Sequence, residues 1–281
     1  ARAARTIGMS PAAVTRAIAA LETRLGVQLF TRTTRRVQLT EAGNRFLVRA
    51  RQILSDIGTA EQEVAGLTET PKGQLRLTSS VTFGRIAMAP MLSGFLEAYP
   101  DIAPSVMMAD RIVNLVEEGI DIAVRIGHLP DSSLIARKIG EVRRLLVASP
   151  NYLAKAGTPS HPADLRHHKM IRFTSLMPTN RWNYLNGGNP GHVRVPPIIE
   201  INDASAAICL AEHDVGIVLV LSYMVRDHLK NGKLMTVLDD YGVDPLPVHL
   251  VYPENRIVTP KVRAFMDYAA EHLPSRLNCR V

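Results

Sequence analysis

The sequence predicts an α/β chain built in three parts: a small basic winged helix-turn-helix, a long linker helix, and a large module of alternating strands and helices. Three observations carry this. Residues 1–55 hold ten arginines against two glutamates, yet all 281 residues sum to only +7, so the remainder is close to neutral. An unbroken apolar heptad seam comes next. From Gln74 onward, strand-like apolar runs alternate with helical ones, which argues for mainly parallel sheets.

Composition sets the outer bounds. A hydrophobic content of 46% and a charged content of 21% are ordinary for a globular protein with a sizeable core. No apolar run approaches the roughly 18 residues of a membrane span, and no basic-then-apolar leader opens the chain. The expected setting is the cytoplasm, with no membrane partner. Cys209 and Cys279 form no CxxC and no zinc-ligand spacing, so neither a disulfide framework nor a metal site is expected.

The first element with clear punctuation is "SPAAVTRAIAALETRLG". Ser10 suits an N-cap, and Pro11 falls at the first helical position, where its missing N–H costs nothing. Val14, Ile18, Leu21 and Leu25 line one face, and Gly26 ends the helix. Before it, "ARAARTIG" reads as the end of another helix closing on Gly8, which makes a helix-turn-helix. The outward positions are Ala12, Thr15, Arg16, Ala19 and Thr23. Short side chains let a helix sit deep in a major groove, where Arg grips guanine while Ala and Thr methyls meet thymine methyls. Base contacts are therefore expected from Ala12, Thr15 and Arg16, and a phosphate contact from Ser10. A pair of helices joining two proteins is the alternative. Next, "VQLF" and "RRVQLT" read as strands around "TRTT". Such a hairpin puts Arg32, Thr33, Thr34, Arg35 and Arg36 at or beside its tip, a wing suited to phosphates or a minor groove.

The tract "MSPAAVTRAIAALETRLGVQLFTRTTRRVQLTEAG" resembles the DNA-binding signature of LysR-type transcriptional regulators. The likeness includes the Ser-Pro cap, the "LE..LG..LF.R" run and the "LT.AG" exit. It implies double-stranded DNA as a partner. Members of that family start with a further helix, so by this likeness the chain begins inside helix two and the first helix is missing.

Thr40 can cap the linker helix, whose apolar positions are Phe46, Ala50, Ile53, Ile57, Ala60, Val64 and Leu67. Their alternating spacing of four and three is an a/d seam, which favours a two-stranded coiled coil over a helix packed on its own domain. Two recognition helices would then meet successive major grooves. The residues support a homodimer, and the family likeness adds a dimer of dimers. Pro71 and Gly73 in "LTETPKGQ" mark a hinge.

In the large module, "QLRLTSS", "IAPSVMMAD", "DIAVRIG", "HKMIRFTS", "PIIEIND", "GIVLVLS", "KLMTVLD" and "PVHLVYP" read as strands. Helices are expected over "FGRIAMAPMLSGFLEAY", Arg111–Gly119, Ala204–Glu212, the segment after Ser222, and Thr259–Leu273. "DRIVNLVEEGIDIAVRIGHLPDSSLIARKIG" and "ASPNYLAKAGTPSHPADL" resemble the effector domain of the same family, two α/β lobes like those of type 2 periplasmic binding proteins. The likeness implies lobe one from 74–147 and 248–281, lobe two from 148–247, a DNA-binding domain over 1–40, a linker over 41–67 and a hinge over 68–73.

In α/β sheets, ligands bind at carboxyl ends of strands beside helix N-termini. The family likeness implies a small-molecule effector in the cleft between the lobes, carried over to Ser79, Ser80, Val81 and Thr82, which follow the first strand, open a helix and can hold an anionic or carbonyl group. The other expected contacts are Arg125, Gly127, Phe173, Thr174, Asn202, Asp203 and Val218. Each Ser, Thr or Asp among them has a plain alternative as a helix cap, and Arg125 as an ion-pair partner. An Asp203 facing the cleft argues against a carboxylate effector. Leu221 stands where family members often have proline.

His167 and His168 read as a surface loop, "NGGNPG" as a turn, and Trp182 with Tyr184 as packing or cleft lining. No GxSxG elbow or catalytic triad is legible, so neither an enzyme nor a cofactor is expected. The competing class is a solute-binding or enzymatic α/β protein with a basic interaction arm at its N-terminus.

Overall fold

The computed structural model describes residues 8–32, 37–64, 70–129, 134–254 and 258–277. The chain divides into two units, residues 1–69 with 114–119, and residues 70–113 with 120–281.

In the first unit, α1 runs Pro11–Leu25, β1 Phe30–Arg32, β2 Val37–Leu39 and α2 Glu41–Val64. The end signals of α1 act as read from sequence. Ser10 accepts the Ala13 N–H through its side chain, and Gly26 closes the helix at φ 67°. Strands β1 and β2 pair antiparallel, with Arg32 opposite Val37 at the wing. Thr33, Thr34, Arg35 and Arg36 lie outside the described residues, as do Leu67 and the helix expected before Gly8. The Thr40 hydroxyl accepts the Gly43 N–H at 2.9 Å and so opens α2. A side chain at Gly43 would strike the Leu29 carbonyl oxygen, 2.0 Å from where its Cβ would stand.

The second unit holds two five-stranded sheets. The first, in order β4-β3-β5-β14-β6, is made of β3 Gly73–Ser79, β4 Ile102–Met108, β5 Ile122–Ile126, β6 Leu134–Val142 and β14 Leu246–Pro253. The second, β11-β8-β12-β7-β13, is made of β7 Arg144–Ala148, β8 Met170–Phe173, β11 Pro197–Ile201, β12 Ile217–Leu221 and β13 Met235–Val237. Their pairings divide evenly, four parallel and four antiparallel, so the sheets are mixed rather than mainly parallel. The antiparallel members are the strands next to the two crossings between lobes. The first crossing also comes earlier than expected. Because β7 already belongs to the second sheet, lobe one ends at Val142 and not at 147.

After β3 the chain turns at once into a continuous helical rod: α3 Val81–Phe83, a π turn Gly84–Met88, and α4 Ala89–Ala98. Phe95 on α4 packs edge-on against Phe265 of α8 (Pro260–His272), with centroids 5.3 Å apart. Leu75, Leu77, Phe83 and Phe95 are fully buried, each contributing about 1.5–3 kcal/mol. Lobe two carries α5 Pro150–Ala156, α6 Ala204–Glu212 and α7 Ser222–Lys230, and α9 Pro274–Leu277 closes the description.

The helix expected over Arg111–Gly119 does not form. Asn114 instead accepts the Val116 and Glu117 amides through its side chain, and Gly119 turns away at φ 66° after a single turn. The "NGGN" turn sits in a hairpin, β9 Arg181–Asn186 with β10 Asn189–Arg194, with Gly187 and Gly188 both at positive φ. Trp182 is buried in the apolar cluster of lobe two, and Tyr184 packs against that cluster.

Candidate functional site

The outward face of α1 is open. Ala12, Thr15, Arg16, Ala19 and Thr23 are all exposed, while Val14, Ile18 and Leu21 are half-buried on the other side. Thr15 and Thr23 turn their hydroxyls back onto the Pro11 and Ala19 carbonyls at 3.0 and 2.9 Å. Each hydroxyl is thereby spent within the helix. Arg16 has no ion-pair partner among the described residues. Glu22, on the half-buried side, holds the turn into β1 by accepting the Leu29 and Phe30 amides.

Further along α2, Ile53 and Ile57 are 58% and 49% exposed, and Leu54 beside them is 69% exposed. Phe46 and Ala50 of the expected seam are half-buried; nothing is described of the side chains of Ala60 and Val64. Two β-branched side chains one turn apart, both facing solvent, are out of place on a helix without a partner.

In the second unit, most of the expected cleft residues lie at or beside strand ends of one lobe or the other. Ser79 closes β3, Ser80 occupies the cap position of α3 with no side-chain cap bond, and Thr82 is buried. The Val81 N–H is given to the Asp110 carboxylate at 3.0 Å. From lobe two, Phe173 ends β8 and Thr174 donates its N–H to the Ile201 carbonyl at 2.9 Å, which draws the ends of β8 and β11 together. Asn202 is exposed, and Asp203 caps α6 by accepting the Ala206 N–H at 2.8 Å. Arg85 of the π turn donates to the Ser205 hydroxyl of α6, a direct bond between lobes.

Arg125 and Gly127 are occupied by lobe one itself. Arg125 donates to the Val113 carbonyl at 2.8 Å, and the Gly127 N–H to the Pro247 carbonyl at 2.8 Å. Val218 does not line the cleft. It is 0% exposed in the core, mid-strand between Val147 and Ile171, because the strand runs on to Leu221 before its carboxyl end opens.

What emerges at that end is Tyr223, 2% exposed and edge-on to Phe83 with centroids 5.6 Å apart. Its hydroxyl lies beside Ser80 and makes no hydrogen bond of ordinary geometry. Burial, with a smaller contribution from Asp110, pushes the phenol well above its usual pKa. Tyr223, Asp110, Arg85 and Ser205 were not among the sequence-read residues. Only the position of Tyr223, just past the carboxyl end of a strand, carried a signal.

Family models match both parts of the chain. The bacterial regulatory helix-turn-helix model of the lysR family covers residues 1–44, and the LysR substrate binding domain covers 68–274. The chain belongs to the LysR family of transcriptional regulators. It is 35% identical to the HTH-type transcriptional regulator CrgA of Neisseria meningitidis over 278 residues, 98% of this chain and 92% of that one. It is also 35% identical to DmlR of Escherichia coli, over 97% of this chain and 90% of that regulator. Among solved structures, CrgA matches with a TM-score of 0.66 over 97% of this chain and 92% of its own. Full-length AphB, a Vibrio cholerae virulence activator, matches at 30% identity with a TM-score of 0.64, over 96% of this chain and 92% of that one.

This LysR-type regulator therefore pairs a helix-turn-helix DNA-binding part with a substrate-binding domain of two lobes. Regulators of this type bind DNA and small-molecule effectors. Its family and relatives are regulators and not enzymes, so the competing solute-binding or enzymatic class falls away. Among the described residues, no helix is long and apolar enough to cross a membrane.

Proposed function

We propose that this chain works in the cytoplasm as an effector-controlled regulator, binding double-stranded DNA as a homodimer that assembles further into a tetramer. Ala12, Thr15 and Arg16 read base edges, while Ser10 and the wing residues Arg32 to Arg36 hold phosphates. The exposed seam of α2, with Ile53 and Ile57 at its centre, joins two copies and spaces their recognition helices. A small molecule seated among Ser80, Val81, Thr82, Thr174, Asn202 and Asp203 biases the angle between the lobes, and with it the fit of the assembly to its promoter. The observation that carries this reading is the α1 face, composed of short side chains and one arginine and left open to solvent.

Fluorescence anisotropy on duplexes across a salt series tests it. Arg16→Ala costs about 1–3 kcal/mol on cognate DNA and blunts sequence discrimination. Arg35→Ala together with Arg36→Ala weakens all duplexes alike and flattens the log–log salt slope by about one to two units. An Arg16→Ala chain that still separates operator from scrambled sequence as well as wild type removes α1 from base reading.

A further inference from the structure

We infer that the cleft of this chain selects a ligand bearing a non-acidic hydrogen-bond donor for Asp110 and an acceptor for the Tyr223 hydroxyl, a carboxamide in preference to a free carboxylic acid or an amine. The inference rests on the reading of the cleft as the effector site and narrows its chemistry.

Both helix starts facing the cleft already hold a carboxylate of the protein. Asp110 Oδ1 takes the Val81 N–H at 3.0 Å at the head of the helical rod, and Asp203 Oδ1 takes the Ala206 N–H at 2.8 Å at the head of α6. The field that draws an anion to a helix N-terminus is thus spent on these two side chains. A ligand carboxylate would have to displace one of them or sit beside its like charge. Neither carboxylate is paired with an arginine among the described residues: Arg85 donates to the Ser205 hydroxyl and Arg125 to the Val113 carbonyl. Asp110 is exposed, and its second oxygen, with no hydrogen-bond partner among the described residues, is free to accept from a ligand donor.

Tyr223 supplies the opposite need. It is 2% exposed, its hydroxyl is closed off without a hydrogen-bond partner, and the Ser80 side chain and the Asp110 charge both stand near it. Burial raises its pKa, so the phenol stays protonated and remains a donor. A ligand acceptor placed at this hydroxyl satisfies a buried group that has no hydrogen-bond partner among the described residues. A site whose buried polar groups wait for a partner rejects molecules that cannot provide one.

The test is calorimetry and thermal shift on the full chain with matched probes: benzamide, benzylamine and benzoate, then butyramide, butylamine and butyrate. The amide of a set, which carries both a donor and an acceptor, raises the melting temperature, and the matched carboxylate and protonated amine do not. Asp110→Asn, at an exposed position, removes the preference and tightens carboxylate binding at least tenfold. Tyr223→Phe weakens the amide by about five- to tenfold without lowering the melting temperature of the unliganded chain. Wild-type preference for the carboxylates, with binding still sensitive to Tyr223→Phe, overturns the inference and leaves the cleft reading intact. No binding by any probe overturns the inference. Binding indifferent to Asp110→Asn, Tyr223→Phe and Ser80→Ala alike overturns the cleft reading as well.

Discussion

The Glu22 carboxylate accepts the Leu29 amide at 2.7 Å, and the same oxygen takes the Phe30 amide at 3.0 Å. One side chain on the half-buried side of α1 thereby fixes where β1 begins and how the wing leaves α1. Glu22→Ala strips a charged acceptor from two amides and is expected to destabilise the N-terminal unit by about 1.5–3 kcal/mol. Glu22→Gln keeps part of that. Denaturant midpoints of the three chains check the ranking, and equal midpoints contradict it.

The open stripe on α2 predicts self-association through that helix. Ile53→Asp with Ile57→Asp is expected to raise the dissociation constant of the homodimer by roughly a hundredfold or more, since each buried isoleucine contributes about 1.5–3 kcal/mol. Both positions are solvent-facing in a single chain, so the secondary structure survives the change. Sedimentation velocity reads the outcome. A dimer that persists at wild-type concentrations would place the contact elsewhere.

Tyr223 separates two stability effects. Tyr223→Phe deletes only a buried hydroxyl without a partner and is expected to stabilise the unliganded chain by about 1 kcal/mol. Tyr223→Ala removes the ring packed on Phe83 and costs about 3–5 kcal/mol. A loss of stability in the phenylalanine variant would mean that the hydroxyl has a partner in solution.

Acid should loosen lobe two through His168. Burial lowers its pKa below 6.5; the Asp164 charge opposes this and His167 adds to it. Tyr152 Oη lies 3.2 Å from its Nδ1. Because the folded state favours the neutral ring, its contribution is complete above pH 6.5 and is lost as pH falls through the lowered value. His249, also lowered mainly by burial, acts in the same direction in lobe one. Melting temperatures from pH 7.5 down to 5 should therefore drop more steeply for wild type than for His168→Asn. Parallel curves would clear His168 of the effect.

Much of this was legible because the signals were local. Ser10, Pro11, Gly26 and Thr40 punctuate their helices through neighbours within four residues, and Ala204–Glu212 forms between its expected ends. What escaped is non-local or masked by polarity. Strand β6, within "LIARKIGEV", exposes most of its side chains and carries no strand-like apolar alternation. Asp110 meets Val81 across 29 positions, a pairing only the adjacent ends of β3 and β4 create. Val218 lies on a strand that the sequence makes plain, but three residues short of the carboxyl end at Leu221, where side chains reach the strand's mouth. Arg111–Gly119 has helical periodicity, yet Asn114 offers its amides a nearer acceptor.

Ser222 ties the first crossing between the lobes to the start of α7. Its N–H donates to the Arg143 carbonyl at 2.8 Å and its hydroxyl accepts the Arg143 N–H at 3.1 Å. One residue on stands Tyr223. The first crossing between the lobes is therefore riveted, backbone to side chain, one residue from the Tyr223 ring. The crossing and the ring are thus anchored by the same short stretch of chain.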